Sequence, residues 1–192
     1  AWLTKGQVDK WNNGAFYEAY EKLGAHPNSR GTRFAVWAPH AESVSVIGSF
    51  NDWAPGATPL TRDDRTGIWE AYVRGAKDGA AYKYHVTRGR FASDKADPWG
   101  YAMEGPAVGG HDVHGLTSIV NGLDFEWSDS EWMAQRLGPG TLDQPVSIYE
   151  VHLGSWRHSA PGASLSYREI AEPLADYVSE LGFTHVEFLP VM

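Results

Sequence analysis

The stretch Ala80-Ala81-Tyr82-Lys83-Tyr84-His85-Val86-Thr87 sets the architecture of the first half of the chain. In an extended backbone its side chains alternate, with Tyr82, Tyr84 and Val86 on one face and Lys83, His85 and Thr87 on the other. One apolar face and one polar face describe a strand of an antiparallel sheet that is covered on one side. Three earlier stretches share the period of two and the richness in Val, Ile, Tyr and Trp: Thr32–Trp37, Ser43–Gly48 and Gly67–Arg74. Turn signals separate them at Pro39-His40, Asn51-Asp52, Asp63-Asp64 and Lys77-Asp78-Gly79. Short strands at this spacing predict an all-β, immunoglobulin-like sandwich over 28–122, with a last strand at Leu116–Val120.

Upstream, residues 1–27 read as a leading segment. A helix is expected over Ala15–Leu23, with Phe16, Ala19, Tyr20 and Leu23 on one face and Gly24 as its stop, and Pro27-Asn28 then open a loop. Downstream, 123–144 read as a linker with a short helix at Ser128–Arg136 carrying Trp132 and Met133.

Beyond Gln144 the pattern changes. Val146–His152 is a near-continuous apolar run, as in a strand covered on both faces. Ser166 and Glu169 form a capping-box pattern, and Tyr167, Ile170, Ala171, Leu174, Val178 and Leu181 supply a helical stripe that Gly182 ends. Pro173 lies inside that stripe and is expected to kink or restart the helix. Thr184–Leu189 follows as a second strand, stopped by Pro190, so the order is strand, helix, parallel strand. A (β/α)8 barrel needs about 250 residues. Residues 145–192 are therefore expected to be an incomplete start of such a barrel.

Composition narrows the function classes. The 24 acidic residues exceed the 16 basic ones, giving a formal charge of −8, which opposes a phosphate backbone as partner. No apolar run reaches the roughly 20 residues that span a bilayer, and no charged-then-apolar leader is visible. The absence of cysteine excludes disulfides, thiolate nucleophiles and Cys-type zinc sites, and fits a reducing, cytoplasmic setting. Nine Trp, nine Tyr and seven Phe serve as core fillers, and also as flat surfaces on which sugar rings stack.

Several segments together resemble the amino-terminal part of the 1,4-α-glucan (glycogen) branching enzymes of the α-amylase superfamily. Tyr20-Glu21-Lys22-Leu23-Gly24-Ala25-His26-Pro27 is similar to the motif that leads into the sandwich there. Phe34-Ala35-Val36-Trp37-Ala38-Pro39 and Gly48-Ser49-Phe50-Asn51-Asp52-Trp53 resemble its family 48 carbohydrate-binding-type module, and Tyr82-Lys83-Tyr84 and Lys95-Ala96-Asp97-Pro98 continue the match. Ile148-Tyr149-Glu150-Val151-His152-Leu153-Gly154-Ser155-Trp156-Arg157 is similar to the first barrel strand and its loop. Gly182-Phe183-Thr184-His185-Val186-Glu187-Phe188-Leu189-Pro190 extends the match through the second strand.

The resemblance implies a retaining transglycosylase that cuts an α-1,4-glucan and passes the segment to a 6-hydroxyl. Glycogen, amylose and maltooligosaccharides are the implied partners, alongside the remainder of the barrel, and no cofactor is implied. The family takes its catalytic carboxylates from later barrel strands, so no catalytic residue is assigned and this stretch alone is expected to be inactive. A noncatalytic glucan-binding module and a debranching or trehalose-releasing hydrolase are the alternatives.

By motif, the resemblance implies a carbohydrate surface on Trp53 and Lys83, with Phe91 where such modules often carry the larger Trp ring and Asn121 as a looser polar match. The competing role for all four is packing. Glu150 and Glu187, late in what read as neighbouring or near-neighbouring parallel strands, could reach the separation of about 5–5.5 Å that retaining chemistry uses. Against that, they read as carboxylates held by Arg157, Arg168, or Tyr and His donors. His111, Asp112 and His114 mimic a metal cluster without a second ligand pair, so no metal site is assigned. His152 and His185 read as hydrogen-bonded core or rim residues.

Overall fold

The computed structural model describes residues 2–104, 116–136 and 143–191. The chain divides into two compact units, Ala1–Glu126 and Trp127–Met192.

Among the described residues the first unit holds helix α1 (Lys5–Asn12) and nine strands: β1 (Gly24–Asn28), β2 (Gly31–Trp37), β3 (Ser43–Gly48), β4 (Thr61–Asp63), β5 (Ile68–Arg74), β6 (Ala81–Arg88), β7 (Phe91–Lys95), β8 (Ala102–Glu104) and β9 (Thr117–Ile119). One sheet has the order β1-β2-β5-β4, and the other runs β3-β6-β9-β8 with β7 also paired to β6. Every pairing is antiparallel. The five strands expected from periodicity are present within one residue of their expected ends. The alternation also holds: Phe34, Val36 and Trp69 from one sheet meet Val44, Val46, Tyr82 and Tyr84 from the other in a single core. Phe34, Tyr82 and Tyr84 are fully buried, with edge-to-face contacts at 4.9 Å and 5.8 Å between ring centroids. Such pairs add about 0.5–1.5 kcal/mol beyond simple burial.

The leading segment differs from its expected form. Its helix lies at Lys5–Asn12, where Thr4 and Gln7 close a capping box, and 15–23 holds only a 3-10 turn at Ala19–Glu21. Phe16, Ala19 and Leu23 still point inward. With Leu3, Val8, Trp2 and Trp11 they cover Ala35 and Ile68 on the outer face of the first sheet. Gly24 does not stop a helix but opens strand β1 at φ +101, where an added Cβ would lie 2.8 Å from the Trp99 carbonyl oxygen. Pro27, which lacks a donor, is tolerated because β1 is an edge strand. At the opposite edge, Pro59 bridges Ser45, and Thr58 and Leu60 bond Val46 and Val44, so residues 58–60 line the free side of β3.

The second unit contains α2 (Ser130–Gln135), β10 (Ile148–Val151), the short α3 (Leu153–Trp156), a small hairpin of β11 (His158–Ala160) and β12 (Ala163–Ser164), α4 (Tyr167–Glu180) and β13 (His185–Phe188). Strands β10 and β13 are parallel neighbours, as the strand-helix-strand reading expects. Ser166 and Glu169 make the expected capping box, and α4 runs through Pro173 without ending. Ile170, Leu174 and Val178 pack with Val151, Tyr149 and Val186, so α4 covers one face of the pair. The both-sided burial expected for 146–152 is not found: Val146 and Ile148 are 60% and 54% exposed. Tyr167, Ala171 and Leu181 of the expected stripe are also exposed, because a two-stranded sheet is too narrow to meet the whole width of the helix.

Candidate functional site

The turn after β3 is built to hold one ring. Asn51 Nδ2 donates to the Val46 carbonyl at 2.9 Å and to Thr58 Oγ1 at 3.0 Å, while its Oδ1 accepts from the Gly48 N–H at 2.9 Å. The backbone N–H groups of Asn51 and Trp53 both donate to the Gly48 carbonyl at 3.1 Å. So constrained, Asp52 and Trp53 take left-handed φ values of 53° and 57°. Each costs on the order of 1–3 kcal/mol for a residue with a Cβ, which only a well-tied turn sustains. Gly48 has no alternative here, since a Cβ would sit 2.3 Å from the Ala81 carbonyl oxygen. Trp53 emerges 39% exposed.

The register locates the other three candidates. Lys83 pairs with Ile47, one step from the Gly48–Tyr82 pair from which the Trp53 turn springs. It faces away from the core, yet it is buried, with 3% of its surface open. Asn121 follows β9, whose Ile119 pairs with Ala81, and lies beyond that same end of β6, half-buried, with Oδ1 accepting from the Leu123 N–H at 2.8 Å. Phe91 pairs with Arg88, five residues and roughly 17 Å along β6 from Lys83. By strand parity it falls on the opposite face of the sheet, and it is 57% exposed. Trp53, Lys83 and Asn121 thus share one end of the second sheet, and Phe91 marks the other.

The Asp97 motif proves to be a structural anchor. Asp97 is buried, and its carboxylate accepts from Tyr82 Oη at 2.6 Å, Tyr84 Oη at 3.1 Å and the Trp99 N–H at 2.8 Å, while its own N–H donates to Ser118 Oγ at 2.8 Å. Burial pushes the Asp97 carboxyl above its ordinary range, and the donated hydrogen bonds and the nearby His26 offset only part of that rise. Burial likewise raises both tyrosines, with the Asp97 charge adding to it. The cluster ties β6, β9 and the segment after β7 together, leaving no oxygen for a ligand to exploit. Sequence reading missed this role, and also that of Asn51. The two tyrosines on the core face were the available sign, because buried hydroxyls need a partner.

In the second unit, Glu150 and Glu187 are direct cross-strand partners on the face that α4 does not cover. Both are exposed, and neither has a hydrogen-bond or ion-pair partner among the described residues. The expected clamp by Arg157 does not form. That guanidinium stacks on Trp156 at 4.3 Å instead, and Trp156 Nε1 donates to Tyr149 Oη at 3.0 Å. His152 and His185 are exposed and hydrogen-bonded locally, His152 Nδ1 to Ser155 Oγ at 3.0 Å and His185 Nδ1 to Thr184 Oγ1 at 2.8 Å. Among the described residues no three His, Cys, Asp or Glu side chains gather as metal ligands. His111, Asp112 and His114 lie outside the described residues.

Residues 22–100 match carbohydrate-binding module 48 (isoamylase N-terminal domain). Over nearly all its residues the chain is also similar to 1,4-alpha-glucan branching enzymes. It is 54% identical to that of Salinibacter ruber, covering 98% of this chain and 30% of the relative, and 47% identical to that of Aquifex aeolicus, covering 99% and 30%. It therefore spans less than a third of the length of these relatives. Among solved structures, the fold resembles the Group B Streptococcus pullulanase in complex with maltotetraose (TM-score 0.60, 25% identity, 89% of this chain and 24% of that one). It also resembles apo pullulanase from Klebsiella pneumoniae (TM-score 0.63, 24% identity, 91% and 20%). No described helix is long and apolar enough to cross a membrane.

Proposed function

We propose that this chain is a section of a cytoplasmic 1,4-α-glucan branching enzyme, in which the sandwich holds an α-glucan chain and 145–192 begin the catalytic (β/α)8 barrel. The observation that carries the binding role is the strained turn, tied by five hydrogen bonds, that projects Trp53 from the end of the second sheet. A half-exposed indole held rigid gives a flat apolar face without an ordering cost on binding. Lys83 and Asn121 supply polar groups at the same end, and Phe91 is a separate, smaller aromatic contact farther along the sheet. The barrel reading is supported by the parallel β10–β13 pair with α4 on one face and an exposed second face, where Ile148 stands beside Glu150 and Glu187.

Branching requires a carboxylate nucleophile and a carboxylic acid. Glu150 and Glu187 take neither part in this reading; their place on the open face suits them to orienting neighbours in the complete barrel. Identity of 54% to a branching enzyme, against 24–25% to the pullulanases, favours branching over debranching.

Electrophoresis through a gel containing glycogen tests the binding role: the chain is retarded, and Trp53→Ala is retarded clearly less. Unretarded migration of the wild-type chain overturns it. For the whole enzyme, a fall in amylose–iodine absorbance without release of short linear chains is expected, and release of linear chains from branched glucan would establish debranching instead.

A further inference from the structure

A second aromatic cleft lies on the other side of the sandwich, on the outer face of the first sheet. It is lined by Trp2, Arg33, Thr61, Glu70, Ala71 and Tyr72 and encloses about 610 Å³, within the range of small-ligand sites. The pairing explains how these residues meet. Arg33 opposes Tyr72, and Thr61 opposes Glu70, two residues before Tyr72, so all four project from one face of three adjacent strands. The leading segment seals this face only around Ala35 and Ile68, leaving the rest open.

Three features fit the cleft to a sugar chain. Tyr72 is 43% exposed, and its hydroxyl is fixed by donation to Asn28 Oδ1 at 2.9 Å, which leaves the ring as a rigid wall. Arg33 stacks against Trp2 at 5.0 Å, a contact that orients the guanidinium without using its N–H donors. Arg33 and Glu70 share the face yet form no ion pair among the described residues, so a fork of donors and a carboxylate acceptor both remain for hydroxyls, which can donate and accept. Flat rings flanked by opposite charges that do not neutralise each other suit a neutral polyhydroxylated ring better than an ion.

We propose that this cleft is a second α-glucan site, on the opposite face of the sandwich from Trp53, and that it grips a neighbouring chain of the same polymer. The inference rests on the α-glucan reading above, but the residues are independent. Two sites on opposite faces make capture of a branched polymer bivalent, so affinity for glycogen exceeds that for either chain alone.

Calorimetry of the full chain with maltotriose, a linear chain of three glucose units, separates the sites. Wild type is expected to bind two molecules, Trp53→Ala one, Tyr72→Ala one, and the double variant none. Glu70→Gln, nearly isosteric, is expected to weaken only the binding that survives in Trp53→Ala, by about tenfold. Near-ultraviolet circular dichroism verifies folding of each variant. A single wild-type site removed by Trp53→Ala overturns this proposal and leaves the first site standing. A single site removed by Tyr72→Ala and spared by Trp53→Ala does the reverse. No binding at all in wild type overturns both.

Discussion

The two units solve the problem of covering a sheet to different degrees. In the sandwich, each sheet buries its inner face against the other, and the outer face of the first sheet is partly sealed by the leading segment. In the second unit, α4 covers one face of a two-stranded sheet and the other carries exposed Val146, Ile148, Glu150 and Glu187. An antiparallel sheet can leave one side in water, whereas parallel sheets are found with both sides covered. The first unit is therefore energetically complete within these residues, and the second draws its order from one small core.

The largest test of that contrast is Phe34→Ala. It deletes a fully buried ring in contact with Phe50 and Tyr82, so a loss of about 3–5 kcal/mol is expected by urea denaturation. A loss below about 1 kcal/mol would mean the sandwich core is not continuous. Ile170→Ala, under the single covered face of the second unit, is expected to cost about 2–4 kcal/mol, read from hydrogen exchange in α4.

Asp97→Asn probes the anchor that ties β6, β9 and the segment after β7. Because the folded-state pKa is raised, the folded chain holds more protons than the unfolded one above the ordinary Asp value of 3.8. The contribution of Asp97 is accordingly full below that value and lost as pH rises through the folded pKa. Subtracting the variant's stability-versus-pH curve from that of wild type should leave a downward slope in that window. A flat difference would show that the hydrogen bonds fully offset burial.

Smaller effects refine the picture. Ser166→Ala removes the α4 cap and is expected to cost about 1 kcal/mol. Ile148→Thr, on the open face, is expected to change stability by less than about 0.5 kcal/mol in this chain. A larger loss would show that this face is already covered.

How much of this was legible in the sequence follows the same physics. Strands of six to eight residues, such as β3 and β6, carry several turns of the period-two pattern, and α4 carries both a stripe and a cap. The two- and three-residue strands β4, β8, β11 and β12 are too short to show a period. Helix α1 did have a written signal in Thr4 and Gln7, but its single buried residue, Val8, makes no stripe. Of the candidate surface, Trp53, Lys83 and Asn121 were placed at one end of a sheet only by register, which no local pattern reveals.

The strand margins of the sandwich have one more consequence. β1 carries Pro27 beside its last residue, the free side of β3 is occupied by the stretch containing Pro59, β4 and β8 have three residues each, and β7 is studded with Asp94 and Lys95. None offers a long bare row of amides on which another polypeptide might template itself. The sandwich thus carries in its own margins a protection against sticking, strand to strand, to another copy of itself.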